Sequence, residues 1–171
     1  MKQIRYFIEA VLLAFLFILS KCLPADWASD FGGWIGRRIG PKLAASRKAM
    51  NNLRSILPGL PEDEAKHIIV GMWDNLGRVM MEYPHLQHIG RDRTEIIGAE
   101  LLEKYKGQPI IFISGHLGNW ECCPPAMFLQ LNCHSHPVYR APNNPFSDWL
   151  LKKVRTMGGK LAVLPKSKTG T

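Results

Sequence analysis

The sequence lacks the cysteine patterns that define small disulfide-rich or zinc-binding domains. It contains four cysteines in 171 residues. Cys22, Cys122, Cys123 and Cys133 form neither a disulfide framework nor a pair separated by two residues, as zinc modules require. It also lacks internal repeats and low-complexity tracts. These absences favour a single folded domain in a reducing compartment.

The chain has fewer acidic than basic residues. The chain has 22 Lys and Arg against 14 Asp and Glu, giving a formal net charge of +8. This charge favours an anionic partner, such as nucleic acid, a phospholipid surface, a phosphorylated glycolipid or an acidic carrier protein. The basic residues are dispersed, and no zinc-finger or aromatic RNA-binding signature accompanies them. We therefore expect no nucleic-acid partner and treat most of these charges as solvated helix faces.

Long hydrophobic runs are also missing, with one short exception near the N-terminus. Ala10–Leu19 is unbroken and apolar, and Lys2 and Arg5 precede it. A spanning helix needs roughly 20 mainly apolar residues. A signal peptide and a buried core helix are the alternatives, but Ser20–Pro24 offers no small-x-small cleavage site. We expect residues 1–27 to form an uncleaved membrane anchor. If the anchor spans the membrane, the charges that precede it place the N-terminus in the cytoplasm, and the alternative is a shallow or re-entrant insertion at the interface.

Hydrophobic periodicity predicts an α/β domain over residues 28–171. Helices are predicted over Asp30–Leu57, from Pro61 to about Tyr83, and over Ala99–Tyr105, Asn119–Leu131 and Pro145–Gly158. Strands are predicted at Ile96-Ile97, Ile110–Ile113 and His134–Tyr139. Strands that alternate with helices indicate parallel pairing.

The most informative stretch is Ile110–Glu121, with the sequence IIFISGHLGNWE. Its pattern predicts a buried strand that ends at Ser114-Gly115, so that His116 lies at a strand-to-helix corner. Gly115 and Gly118 provide the backbone freedom to bring His116 and Glu121 together. A carboxylate that holds one imidazole nitrogen as N–H leaves the other free to take a proton from a hydroxyl.

The GHLGNWE motif, followed by VYRAPNNP at Val138–Pro145, resembles the bacterial lipid A biosynthesis acyltransferases, the late lauroyl and myristoyl transferases. The resemblance extends upstream through the region from Arg47 to Leu53 and the Leu57-Pro58 turn. It implies a glycerolipid-acyltransferase-like α/β fold, with a mixed or parallel sheet flanked by helices and an N-terminal anchor. Family members continue beyond Thr171, and residues 164–171, LPKSKTGT, are typical of a loop with no closing helix or strand, so we expect a C-terminally truncated domain. An incomplete sheet exposes an edge, which predicts poor solubility.

The resemblance implies His116 as general base and Glu121 as its orienting acid. Arg140 follows the predicted strand His134–Tyr139, near the sheet edge where parallel sheets bind ligands, and a fixed cation there can hold a phosphate or an oxyanion. Substrate-binding candidates beside Arg140 are Asn119, Asn143 and Arg155. Asn119 is also suited to cap the following helix, and Asn143 to form a turn.

The implied reaction moves a fatty acyl group from acyl carrier protein to a hydroxyl of a lipid A precursor. A thioester is already activated, so a base and an oxyanion donor suffice, without metal, cofactor or covalent intermediate. The implied partners are acyl carrier protein, the lipid A precursor and inner-membrane phospholipids, with the active site facing the cytoplasm.

Alternative functions remain open at this point. Cys122 or Cys123 is a candidate thiol nucleophile, and Cys133, His134 and His136 form a candidate metal cluster. The same motif also serves an acyltransferase acting on a phosphatidylinositol mannoside or an aminolipid. A non-enzymatic membrane protein with a degenerate fold is the last alternative, and intact His116 and Glu121 disfavour it.

Overall fold

The structure, a computed structural model, describes residues 2–165, with only the backbone of Pro165. This part of the chain is mainly helical. Its elements are α1 (Lys2–Lys21), α2 (Ala25–Ile39), α3 (Ala44–Ile56), α4 (Glu62–Glu82), α5 (Leu86–Asp92), α6 (Glu100–Glu103), α7 (Cys123–Leu131), β1 (Val138–Tyr139), α8 (Pro145–Arg155) and β2 (Leu164–Pro165). They divide into two compact units, Ser20–Glu82 and Met1–Leu19 with Tyr83–Thr171. The expected boundary between anchor and domain at residue 27 stays a prediction.

Close backbone contact between α2 and α4 builds the unit Ser20–Glu82. A Cβ atom added to Gly36 would lie 2.0 Å from the carbonyl oxygen of Trp73, and one added to Gly77 would lie 2.1 Å from that of Gly32. Only glycine permits this approach, because any side chain would force the helices apart. The glycines of α2 therefore fix how closely α4 packs.

Ion pairs accompany this glycine contact. Arg78 on α4 binds Asp30 on α2 at 2.7 Å and Asp74 on its own helix at 2.8 Å. Hydrogen bonds to Asp30 and Asp74 raise the pKa of Arg78 above its ordinary value. Asp30 therefore holds the Arg78 guanidinium across the pair of helices, and Asp74 holds it from the same helix.

The predicted helix Asp30–Leu57 is interrupted, so its continuity was wrong. Helix α2 ends at Ile39, a 3-10 turn covers Gly40–Lys42, and α3 begins at Ala44. Pro41 lacks an N–H donor and its ring clashes with the preceding helical turn, which stops α2. The helix predicted from Pro61 to about Tyr83 is confirmed as α4, with Glu62, Asp63 and Glu64 in its first turn.

Helices α5 and α7 form the packed centre of the other unit. A Cβ atom on Gly90 would lie 2.9 Å from the backbone nitrogen of Ala126, so α5 closely approaches the start of α7. The Gln130 amide of α7 donates to the carbonyl oxygens of Gly90 at 2.5 Å and Thr94 at 2.7 Å. These bonds satisfy backbone acceptors at the end of α5.

The α/β prediction is corrected, because the described residues form only a two-residue parallel pair. Val138 pairs with Leu164 and Tyr139 with Pro165. The strands predicted at Ile96-Ile97 and Ile110–Ile113 are wrong, since both segments are irregular and Ile111 and Ile113 are 89% and 94% exposed. A β-branched run becomes a strand only where another strand supplies ladder hydrogen bonds and a covered face.

The chain end was predicted as loop throughout, but Leu164–Pro165 is β2. The predicted loop over residues 166–171 lies outside the described residues.

Helix α1 is long and apolar enough to cross a membrane, by length and composition. A signal sequence has the same properties. Only 11% of its apolar window is buried, and Phe7, Val11 and Phe15 are at least half exposed. This exposure disfavours the core-helix alternative, because a core helix buries its apolar side chains.

Candidate active site

His116 lies on an exposed irregular loop that leads into α7. Gly118 adopts a φ of +54°, in the left-handed region that glycine enters without strain. The Asn119 side chain then accepts a hydrogen bond from the backbone N–H of Glu121 at 3.1 Å and caps the 3-10 turn Trp120–Cys122. The predicted capping role of Asn119 is confirmed for this turn, which precedes α7.

The His116 imidazole packs against the Trp120 indole. Their ring centroids are 4.6 Å apart, with a tilt of 57°. Among the hydrogen bonds of residues 2–165, none joins His116 to Glu121. The loop thus presents the imidazole to solvent with one aromatic neighbour.

Glu121 is paired with Arg155 of α8. The Arg155 Nε lies 2.9 Å from Oε2 of Glu121, and a terminal guanidinium nitrogen lies 2.5 Å from Oε1. The side chains of Arg155 and Glu121 are 20% and 12% exposed. A planar guanidinium that meets both oxygens of a carboxylate fixes its orientation as well as its charge.

Tyr83 completes this cluster. Its buried hydroxyl accepts a hydrogen bond from a terminal nitrogen of Arg155 at 2.7 Å. The Arg155 guanidinium lies 5.6 Å from the ring centroids of both Tyr83 and Tyr139, which is a cation–π distance. We call Tyr83, Glu121, Tyr139 and Arg155 the Arg155 cluster.

The Arg155 cluster shifts two pKa values. Burial raises the pKa of the Tyr83 hydroxyl well above its ordinary value, and the negative charge of Glu121 raises it further. Burial acts to lower the pKa of Arg155, but hydrogen bonding to Glu121 and the charges of Tyr83 and Glu121 leave it raised. The cluster therefore favours a charged arginine and a neutral tyrosine.

The remaining predicted site residues lie around the start of α8. Arg140 directly follows β1 and is exposed, as is Asn143. The neighbouring Asn144 is buried, and its side-chain oxygen accepts from the backbone N–H groups of Phe146 and Ser147. Asn144, rather than Asn143, thus forms the N-cap of α8.

No sequence pattern assigned Tyr83 to the site. An aromatic residue between a helix and Pro84 carries no local sign of a partner, because Arg155 lies 72 residues further along the chain. Glu121 and Arg155 were each predicted as site residues, but their pairing was not. The catalytic and binding roles of all named residues stay predictions.

The alternative chemistries find little geometric support. Within residues 2–165, no three His, Cys, Asp or Glu side chains gather in a metal-binding group. The ring of His134 instead meets the ring of Phe128 edge-on at 4.9 Å. Cys122 is buried and Cys123 exposed, so neighbouring thiols point to different environments.

The profile of the bacterial lipid A biosynthesis acyltransferases matches residues 1–169. The chain therefore belongs to this family, as the motif predicted. Neither a curated protein nor a solved structure matches it. Membership makes the chain an acyltransferase of lipid A biosynthesis, with a lipid A precursor as acceptor and an acyl donor.

Proposed function

We propose that the chain transfers a fatty acyl group from acyl carrier protein to a hydroxyl of a lipid A precursor, with His116 as general base. The supporting observation is the contrast within the family motif: His116 is exposed on a loop, whereas Glu121, five residues later, is held by Arg155. An exposed base in the same motif as a fixed acid suits a reaction that begins when a substrate hydroxyl arrives.

The proton path of this proposal is short. An imidazole nitrogen of His116 takes the proton of the acceptor hydroxyl as that oxygen attacks the thioester carbonyl. The thioester C–S bond breaks, and the carrier thiolate takes up the proton from His116. Acyl transfer then leaves an ester and a free carrier thiol, so the base is restored without a covalent enzyme intermediate.

Glu121 orients His116 in this proposal, and Arg155 positions Glu121. A carboxylate has about four lone-pair sites, and Arg155 uses one on each oxygen. A further site is available to the N–H of His116. In this proposal, the backbone freedom of Gly115 and Gly118 lets the loop bring His116 toward Glu121 when substrate binds. We therefore assign Arg155 to positioning, rather than to direct substrate binding.

Arg140 and Asn143 are proposed to bind substrate. Both are exposed polar side chains between β1 and α8. A guanidinium suits the phosphate of a lipid A precursor or the oxyanion that develops at the thioester carbonyl. Asn119 stays a candidate for substrate binding, although its side-chain Oδ1 caps the Trp120–Cys122 turn.

The net charge supports the proposed partners and location. A formal charge of +8 suits an acidic carrier protein, a phosphorylated lipid and anionic inner-membrane phospholipids. Acyl carrier protein reaches the enzyme from the cytoplasm, so we place the active site on the cytoplasmic face of the inner membrane. No metal or cofactor is required by this chemistry.

The deciding experiment measures transfer of a labelled acyl group from acyl carrier protein to a tetra-acylated lipid A precursor, in membranes containing the full chain. General-base catalysis contributes roughly 10²- to 10⁴-fold, so His116→Ala should lower the rate by about that factor. His88→Ala is the matched control, because His88 is an exposed histidine paired with Asp92 on α5. Unchanged transfer by His116→Ala would overturn the base assignment. Transfer by the wild type to another lipid, but not to this precursor, would overturn the acceptor assignment.

A further inference from the structure

Helices α1 and α8 together line an open apolar groove. Its volume is about 200 Å³, and its lining is entirely hydrophobic: Phe7, Ala10, Val11 and Ala14 from α1, and Phe146, Trp149 and Leu150 from α8. Trp149 is 63% exposed and Phe146 is 49% exposed. Large exposed aromatic side chains at the mouth of an apolar groove are typical of a surface that binds an apolar ligand, a membrane or another protein.

Asn144 fixes α8 beside α1. Its amide nitrogen donates to the carbonyl oxygen of Tyr6 at 2.8 Å and to Oε2 of Glu9 at 3.1 Å. The Asn144 side chain is buried, and its oxygen caps α8 at the same time. The beginning of α8 is therefore attached to the second turn of α1, and the two helices present their apolar faces together.

Basic residues lie beside aromatic side chains of both helices, Trp149 of the groove and Tyr6, which precedes the lining residue Phe7. Lys153 lies 5.4 Å from the Trp149 ring centroid, and Lys2 and Arg5 lie 5.6 Å and 5.5 Å from the Tyr6 ring centroid. Glu9 is paired with Arg5, and Asp148 with Lys152, each on the same helix. Lys2 and Lys153 are therefore the positive charges in excess beside the groove.

We propose that α8 is a second membrane-binding element, and that the α1–α8 face lies in the headgroup region of an anionic phospholipid bilayer. Trp and Tyr rings with Lys and Arg beside them are typical of membrane–water interfaces. The face is continuous with the exposed apolar side of α1, a helix apolar enough to enter lipid. Lipid acyl chains then fill the groove.

The geometry also assigns the orientation of α1. Residues 7–14 of α1 line the groove together with α8. If α1 crossed the bilayer upright, α8 would enter the hydrocarbon with Asp148, Lys152 and Lys153, where charged groups are expensive. Both helices therefore lie along the interface, with their charged residues in the headgroup layer. This inference does not depend on acyl transfer, since its test is spectroscopic.

The test measures fluorescence quenching of the full chain in vesicles that contain doxyl-labelled phospholipid. Vesicles of phosphatidylcholine are compared with vesicles of phosphatidylcholine and phosphatidylglycerol. The difference between wild type and Trp149→Phe isolates the signal of Trp149 from that of the other tryptophans. We expect strong quenching of Trp149, greater in the anionic vesicles. Because Trp149 is exposed and the change is conservative, we expect the variant to fold. An unchanged circular dichroism spectrum checks this.

Lys153→Glu and Lys104→Glu provide the matched pair for the charge. Both replace an exposed lysine of the same unit and change the net charge equally, but only Lys153 borders the groove. Lys153→Glu should reduce Trp149 quenching severalfold in anionic vesicles, whereas Lys104→Glu should leave it unchanged. Equal quenching in wild type and Trp149→Phe would overturn the proposal. Equal effects of the two lysine variants would overturn the anionic-lipid assignment. Concentration-dependent cross-linking between two copies at position 149 would also overturn it, because it would show that a second copy covers the face.

Discussion

Arg155 binds both carboxylate oxygens of Glu121, although the two residues are 34 positions apart in the sequence. The pair is largely shielded from solvent, and the hydroxyl of Tyr83 supports it from the other side. The acid of the family motif is therefore held by α8, outside the motif. The Glu121–Arg155 pair therefore contributes to both stability and proposed catalysis, and variants of the two residues can distinguish these contributions.

Removing the Glu121 charge should destabilise the chain. Glu121→Gln leaves the Arg155 guanidinium without its carboxylate in a mostly buried site, and breaking such a pair costs about 3 kcal/mol. The free energy of unfolding in mild detergent, followed by tryptophan fluorescence, measures this loss. Glu103→Gln is the control in the same unit, because Glu103 pairs with Lys106 in an exposed ion pair worth about 0 to 1 kcal/mol. Equal losses in both variants would contradict a structural role for the Glu121–Arg155 pair.

Arg155→Lys should separate positioning from charge. Lysine keeps the positive charge but provides no planar fork for two carboxylate oxygens. We expect acyl transfer to fall at least tenfold through the maximal rate, with little change in the Michaelis constant for the lipid acceptor. A rise in that constant alone would instead assign Arg155 to substrate binding. Steady-state kinetics with varied lipid acceptor measures both quantities.

Tyr83 should make stability depend on alkaline pH. Its pKa is raised in the folded chain, so the unfolded chain releases this proton first, near pH 10. The Tyr83 contribution is therefore fully present below about pH 10 and is lost as the pH rises further. Unfolding measured at pH 8 and pH 11 should show a steeper loss for wild type than for Tyr83→Phe.

The Tyr83→Phe variant also loses the hydrogen bond to Arg155, which should lower its stability at pH 8 by about 1.5 to 3 kcal/mol. Tyr105→Phe is the control, since Tyr105 is 52% exposed. The same pH slope in wild type and Tyr83→Phe would show that Tyr83 does not cause the alkaline loss.

Two alanine substitutions in neighbouring helices should have opposite effects. Gly36→Ala places a Cβ atom 2.0 Å from the carbonyl oxygen of Trp73, so α2 and α4 must separate. We expect a loss of roughly 1 to 3 kcal/mol in the free energy of unfolding. Gly71→Ala has nothing within 4 Å of its new Cβ and should stabilise α4 by about 0.5 to 1 kcal/mol. Urea unfolding followed by tryptophan fluorescence tests both, and a shared sign would refute the close-contact explanation.

Asn143 and Asn144 should divide function from stability. Asn144→Ala removes the cap of α8 and the contacts to Tyr6 and Glu9, which should cost about 1 to 2 kcal/mol of stability. Asn143→Ala alters an exposed side chain and should change stability by less than about 0.5 kcal/mol while lowering acyl transfer. Parallel unfolding and transfer assays distinguish them. A stable Asn144→Ala variant would exclude the capping role.

The helices followed the sequence more closely than the strands did. α4 begins after Pro61 with three acidic residues in its first turn, and its apolar residues recur at helical spacing along one continuous segment. The run Ile110–Ile113 has the composition of a strand, yet it is exposed and irregular. A helix forms its hydrogen bonds internally, whereas a strand needs a partner that its own composition does not provide.

The same distinction separates what the sequence determined about the site from what the tertiary structure decided. The sequence by itself determined the family, the motif from His116 to Glu121 and the cap at Asn119, because each depends on residues a few positions apart. The pairing of Glu121 with Arg155, the support from Tyr83 and the attachment of Asn144 to α1 were decided only by the folded chain. Asn144 is 138 residues from Tyr6, and no local pattern predicts which distant side chains a chain path brings within hydrogen-bonding distance.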